Sequence, residues 1–221
     1  MEKALIIGAS GGIGAAITAA LTARGVAVTT LSRRDDGLDV TDEDSVSVAL
    51  GALEPGFDLI LVATGALVID GAEPEKTIRR VTARAMADQF ALNCIGPSLV
   101  LKHSLRLLPR DRRAVFAALS ARVGSIGDNA LGGWYSYRTA KAALNQMIHT
   151  GAIELARSHR HALCVALHPG TVATRFTEDY AASHDRVAPA QAAANLLGVI
   201  EGLSPADTGG FFDWQGKRVA W

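Results

Sequence analysis

Residues 8–14 read Gly-Ala-Ser-Gly-Gly-Ile-Gly and follow directly on an apolar run, Ala4 to Ile7. The run predicts a buried strand. Ile13, Ala16, Ile17, Ala20 and Leu21 then recur at helical spacing, up to Gly25, where a helix would stop. A glycine cluster between a strand and a helix turns the unbonded N–H groups of the helix start toward an anion. In the spacing Gly-x-x-x-Gly-x-Gly, Gly8 permits the tight turn and Gly12 lets backbone approach a pyrophosphate. Gly14 lets the helix pack close to the sheet, and Ser10, Gly11 and Ile13 complete the anion-binding turn. The alternative is a bare packing turn.

The rest of the chain repeats the alternation. Val26–Leu31, Leu38–Val40, Leu59–Ala63, Ala114–Leu119, Leu163–Leu167 and Phe211-Phe212 read as short strands. Helical patterns fall between them. One starts at Thr41 as N-cap with Asp44 reaching back, and one runs from Thr82 to Leu108 with a kink or break near Gly96 caused by Pro97. Others cover Tyr137–Ser158 and Pro189–Leu203. Continuous apolar strands alternating with helices predict an α/β fold, a doubly wound parallel sheet of the Rossmann type. No linker divides the 221 residues, so the expectation is a single domain over 1–221, with the pocket built from its own loops.

The residues after the second strand, Leu31-Ser32-Arg33-Arg34, contain no acid before Asp35. A carboxylate there would suit the ribose hydroxyl of NAD, whereas Ser32, Arg33 and Arg34 suit a 2′-phosphate. NADP (NADPH) is therefore expected over NAD, the other reading being two solvated loop charges. Further along, Tyr137 and Lys141 stand at i and i+4 and share a helix face. A cation close to a phenol favours phenolate and lowers its pKa toward the range useful in acid–base chemistry. Tyr135 has Thr139 four residues on and gains no such partner.

On these residues, with the Asp39-Val40 pair, Asn93 and Pro169-Gly170-Thr171-Val172-Ala173-Thr174, the chain resembles the short-chain dehydrogenase/reductases over nearly its whole length. Gly124-Ser125-Ile126, Asp128-Asn129, Gly132-Gly133-Trp134-Tyr135 and the stretch Gly209 to Trp214 resemble the C-factor and sniffer-type carbonyl reductase branch. The resemblance implies that Tyr137 passes the proton to or from the substrate oxygen, and that Lys141 holds the nicotinamide ribose and lowers the Tyr137 pKa. It implies that Asn93 holds a relay water and that Asp39 and Val40 lie along the adenine. Ala63-Thr64-Gly65 stands where the family has Asn-Ala-Gly, with Gly65 still letting the cofactor approach. Pro169 and Gly170 lead into Val172 and Thr174, which would meet the carboxamide and pyrophosphate.

One position departs. The family's catalytic serine is the second of a Ser-Ser pair, and here that position is Ala121. Ser120 is favoured as partner of the substrate oxygen. Ser125, or no serine at all, remain the alternatives. A one-residue shift along an extended strand reverses the side chain, so Ser120 does not inherit the role by adjacency.

Charge and composition narrow the partners. Lys plus Arg and Asp plus Glu are 22 each, a net charge of zero, which argues against nucleic acid. The N-terminal apolar run is too short for a signal peptide and no run is long enough to span a membrane, so a soluble cytoplasmic protein is expected. Cys94 and Cys164 lack metal-ligand spacing and no metal site is expected. His168 reads as a hydrogen-bonded structural residue, Trp134 as packing or substrate contact, and residues 175–186 as a mobile lid or a surface helix. The Thr82–Leu108 and Tyr137–Ser158 helices resemble those that form the family's dimer or tetramer contact. The expected activity is NADP(H)-dependent interconversion of a carbonyl and a secondary alcohol by hydride transfer. The alternative, motivated by Ala121, is a non-catalytic NADP-binding sensor or signalling protein.

Overall fold

The inner strands are apolar on both sides, and the computed structural model, which describes residues 1–174, 176 and 186–221, shows why. β1 (Lys3–Ile7), β2 (Ala27–Leu31), β3 (Leu59–Val62), β4 (Ala114–Leu119), β5 (Ala162–His168) and β6 (Phe211–Asp213) form one sheet in the order β2-β1-β3-β4-β5-β6. Every neighbouring pair is parallel. Leu5, Ile7, Ile60, Val62 and Phe116 face a core shared with α3 (Glu43–Gly51), α5 (Gly96–Ser104) and α6 (Tyr135–Ser158). Ala4, Ile6, Leu59, Leu61 and Val115 face the other core, shared with α1 (Gly12–Ala23) and α7 (Pro189–Gly202). Strand order reverses at β1, with β2 on one side and β3 on the other, so a crevice opens above the carboxyl ends of β1 and β3.

Three expected elements differ. Leu38 and Val40 are buried but form no strand. The Leu38 N–H goes to the Ser32 carbonyl and the Asp39 N–H to Ser45 Oγ, so these donors are used locally rather than in a ladder. The following helix is capped by Asp42, not Thr41; Asp42 accepts the Asp44 N–H, while Thr41 gives both its N–H and its hydroxyl to the Asp39 carboxylate. The long helix expected over Thr82–Leu108 is in pieces. Thr82 caps α4 (Ala83–Phe90), a π-helical turn spans Ala91–Ile95, and α5 follows. Pro97 lacks an N–H, and in a regular α-helix its ring would collide with the carbonyl four residues back, that of Asn93. The turn widens instead, and the Gly96 N–H reaches Ala91. The widened turn carries Asn93. The expected lid over 175–186 lies outside the described residues except for Phe176 and Arg186.

Candidate active site

The crevice is floored by the glycine turn. Gly8 has φ +86°, and a Cβ on it would come within 2.9 Å of the Ala63 carbonyl, so the chain ends of β1 and β3 touch here. A Cβ on Gly14 would lie 2.3 Å from the Gly8 carbonyl oxygen, a backbone atom, so Gly14 fits α1 against the turn. On Gly12 it would meet the Thr174 methyl at 2.5 Å, which brings the segment after β5 onto the start of α1. Gly11 is the N-cap, its N–H closing on the Gly8 carbonyl, and no acidic side chain stands in the first turn. The first N–H groups of α1, from Gly12, Ile13 and Gly14, have no intrahelical partner and suit an anion.

Next to this turn, three groups converge. Lys141 Nζ donates to the Leu119 carbonyl at 2.9 Å and lies 5.9 Å from the centre of the Tyr137 ring. Asn93 Nδ2 donates to the Ala66 carbonyl and to Gln89 Oε1 at 2.8 and 2.7 Å. A Cβ on Gly65 would stand 2.7 Å from Asn93 Oδ1 and 3.6 Å from Lys141 Nζ. Asn93 Oδ1 and Thr64 Oγ1 are buried without a partner among the described residues. Buried acceptors of this kind are costly unless something bonds them. Together with the glycine cradle, they fit a dinucleotide laid across the crevice.

Burial pushes the Lys141 ammonium down to about 8. It pushes the Tyr137 phenol up, the opposite of the direction expected from the lysine alone. Tyr137 is only 5% exposed, and in the protein by itself desolvation of the phenolate outweighs a cation that is itself desolvated. Trp134 meets the Tyr137 ring edge-on, with centroids 6.4 Å apart, and Phe176 approaches it at 6.0 Å.

The serines lie deeper. Ser120 Oγ donates its one proton to Asn145 Oδ1 at 2.6 Å, one turn beyond Lys141 on α6. Ser125 Oγ accepts the Asp128 N–H at 3.0 Å, and the preceding Gly124 is pressed on the Lys141–Ala142 backbone. On the β2 side, Ser32 is buried and caps the single turn α2 (Arg33–Asp36), taking the Asp35 N–H. Its hydroxyl is therefore committed to this cap instead of lying open beside a phosphate. Arg34 folds back on Asp35, Nε to Oδ1 2.9 Å, whereas Arg33 is exposed with no ion pair among the described residues. Bonds from Thr41, and then the Arg33 charge, hold the Asp39 carboxyl below its usual range. Val40 packs on Gly96. Beyond Pro169, Gly170 stacks under Trp214, and Val172 bridges to Val187. His168 is half-buried at the end of β5. Its Nδ1 is buried with no partner among the described residues, and burial pushes the imidazole down to about 4.

Three residues at the site escaped the sequence reading, among them Asn145, the acceptor of the Ser120 hydroxyl. Gln89, which orients Asn93, stands four residues before it on the same helical face, a spacing that carried the signal. Glu75 sits in a loop, and no local pattern links it to the distant α6 that it touches.

Comparison with known proteins agrees with this geometry. A family model described as enoyl-(acyl carrier protein) reductase matches residues 8–201. A 1-hydroxy-2-glutathionyl-2-methyl-3-butene dehydrogenase from Rhodococcus sp. (strain AD45) is 32% identical, with 100% of both chains covered. C-signal from Myxococcus xanthus is 36% identical over 62% of this chain and 78% of its own. The NADPH-bound carbonyl reductase from chicken fatty liver superimposes with a TM-score of 0.84 at 25% identity, covering 100% of this chain and 99% of its own.

Proposed function

Because the chain belongs to the short-chain dehydrogenase/reductase family of oxidoreductases, we propose that it interconverts a carbonyl and a secondary alcohol with NADP(H). The observation that carries this reading is the convergence of Gly65, Asn93 and Lys141 beside Tyr137, above a glycine cradle with two unpartnered buried acceptors.

When bound, the nicotinamide supplies the hydride that goes to or comes from the substrate carbon. The chain's own groups do the rest. Ser10, Gly12, Ile13 and Gly14 present backbone N–H groups to the pyrophosphate, with Thr174 closing over Gly12, while Gly8 and Gly11 shape the turn, their own N–H groups bonded to the Leu31 and Gly8 carbonyls. Gly65 leaves room for the nicotinamide side, beside Ala63 and Thr64. Pro169, Gly170 and Val172 form the wall after β5, and Asp39 and Val40 the wall on the adenine side. Lys141, fixed to the Leu119 carbonyl, holds the ribose and presents its charge to the phenol. Tyr137 keeps its proton on Oη until the substrate oxygen takes it. Asn93, oriented by Gln89, holds a water behind Lys141 that refills the proton. Ser120 acts through Asn145, fixing the face of α6 from which Lys141 projects. Arg33 meets the 2′-phosphate, and Arg34 and Ser32 shape the turn that offers it. The NADP-bound state of several similar structures supports the choice of cofactor.

The test is consumption of NADPH with a panel of aldehydes, ketones and quinones. Turnover on at least one, lost in Tyr137→Phe, is the expected result. Tight NADPH binding with no turnover on any would instead establish a binding or sensing protein.

A further inference from the structure

The sequence of α6 does little to finish its own first turn. Its N-cap is Trp134, whose side chain makes no capping bond, and the first turn holds no acidic residue. Helix starts ordinarily gain from both. The missing partner arrives from the loop after β3. Glu75, 5% exposed, takes the Ser136 N–H at 3.1 Å on one carboxylate oxygen and the Ser136 hydroxyl on the other. Its main-chain carbonyl accepts the Trp134 N–H at 2.6 Å. Burial pushes the Glu75 carboxyl up, but the bonds from Ser136 and from its own main-chain N–H together outweigh it, so the group stays ionised against the helix start.

Trp134 shows what this clasp holds. Its φ is +52°, following Gly132 and Gly133 at +65° and +69°. A bulky residue in the left-handed region persists only where its surroundings fix it. Here the Glu75 carbonyl takes its N–H, its own carbonyl accepts the Arg138 N–H at 2.9 Å, and Arg138 Nε bonds the Gly133 carbonyl at 2.9 Å. In that conformation the indole meets the Tyr137 ring edge-on. Glu75, Gln89, Ser136 and Tyr137 line one small cavity.

We propose that Glu75 is a positioning residue for Tyr137: by clasping Ser136 and Trp134 it fixes the first turn of α6 and the indole that braces the phenol. The inference rests on the proton role of Tyr137 proposed above, so one of its two readouts is independent of turnover. The chain has three tyrosines, and with carbon-13 on their rings the Tyr137 signal is assigned by its loss in Tyr137→Phe. The second readout is reduction of phenanthrenequinone by NADPH.

In folded Glu75→Ala the Tyr137 signal moves or broadens, kcat falls by about 10–100-fold, and the NADPH dissociation constant stays within about twofold. Glu75→Gln, whose amide oxygen still accepts from Ser136, keeps the signal in place and at least about a third of kcat. An unmoved signal in Glu75→Ala overturns the proposal whether or not the quinone is reduced. A signal displaced as far in Glu75→Gln as in Glu75→Ala assigns the effect to charge and overturns it too. Should Glu75→Ala fail to fold, Ser136→Ala decides on the same signal. A wild-type protein that binds NADPH and reduces no carbonyl refutes the function, and the ring signal then judges the clasp alone.

Discussion

α1 and α6 both begin at the carboxyl ends of the strands, yet their first turns are finished differently. At α1 the work is done by seven contiguous residues, mostly without side chains, and a Cβ on Gly14 would strike the Gly8 carbonyl. At α6 it is done by side chains and carbonyls from separate segments, Glu75 from the loop after β3 and Ser136 and Arg138 from the helix itself, while Leu119 of β4 fixes Lys141 in the next turn. The difference follows from what each end must hold. A pyrophosphate is satisfied by fixed backbone N–H groups and needs room. A proton donor needs a ring held in one orientation and a tuned charge beside it, which backbone alone does not provide.

The comparison predicts that the two ends can be disabled separately. Tyr137→Phe keeps the ring and its packing on Trp134 and removes only the proton. We expect kcat to fall by about 10³-fold with NADPH affinity unchanged. Retained turnover would remove Tyr137 from the proton path. Gly14→Ala is the converse. Its obstruction is backbone, so α1 must shift, and NADPH affinity should drop by about 100-fold with a lowered Tm. Gly12→Ala meets a side chain instead, so Tm should move less; calorimetry on both variants with and without NADPH separates the cases.

Arg33→Ala sharpens the α1 side further. A charge-assisted bond to a phosphate is worth about 1.5–3 kcal/mol, so the NADPH dissociation constant should rise about 10–100-fold. That of NADH should barely change. An equal loss for both would place the 2′-phosphate elsewhere.

The α6 side has a pH signature. Lys141 loses its charge as pH rises through about 8, while burial keeps the Tyr137 proton on. Reductive kcat/KM should therefore fall as pH rises through about 8. The Lys141 contribution to stability moves the other way: between about 8 and the 10.5 of an ordinary lysine the unfolded chain binds the extra proton, so this contribution rises with pH, and above about 9 the buried Cys164 thiol, pushed up to about 12, opposes it by keeping a proton that the unfolded chain loses. A kcat/KM that stays flat from about pH 7 to about 9 would show that the Lys141 charge is not needed.

The same contrast explains what could be read in advance. The glycine turn and the strand–helix alternation are local patterns, and the doubly wound parallel sheet followed from them. The Tyr137–Lys141 pair shares one helix face and was equally visible. The Leu38–Val40 segment was misread because an apolar run is short of information about where its N–H groups go; here they go to Ser32 and Ser45. The break at Pro97 was expected, but not that it would become a π-turn presenting Asn93. Ser32 was read as a phosphate partner, and its capping of α2 depended on a turn no wider than four residues. Glu75 left no trace at all, since its contact spans 61 positions and joins a loop to a helix.

Ser120 is the finest test, because it lies between the two kinds of construction. It is a strand-end residue, placed by local sequence, yet its hydroxyl is committed to Asn145 on α6. Ser120→Ala leaves Asn145 Oδ1 buried without that donor, at a cost of about 1–3 kcal/mol in stability. If the serine acts only through Asn145, kcat should fall by less than about tenfold, in step with the loss of Tm. Ser125→Ala, which removes an acceptor for the Asp128 N–H, should cost less on both counts, about 1 kcal/mol. If Ser120 instead swings to meet the substrate oxygen, kcat drops by about 100-fold or more with little change in Tm. Measuring both variants by steady-state kinetics and thermal unfolding therefore decides whether the β4 end belongs to the scaffold of α6 or to the chemistry beside it.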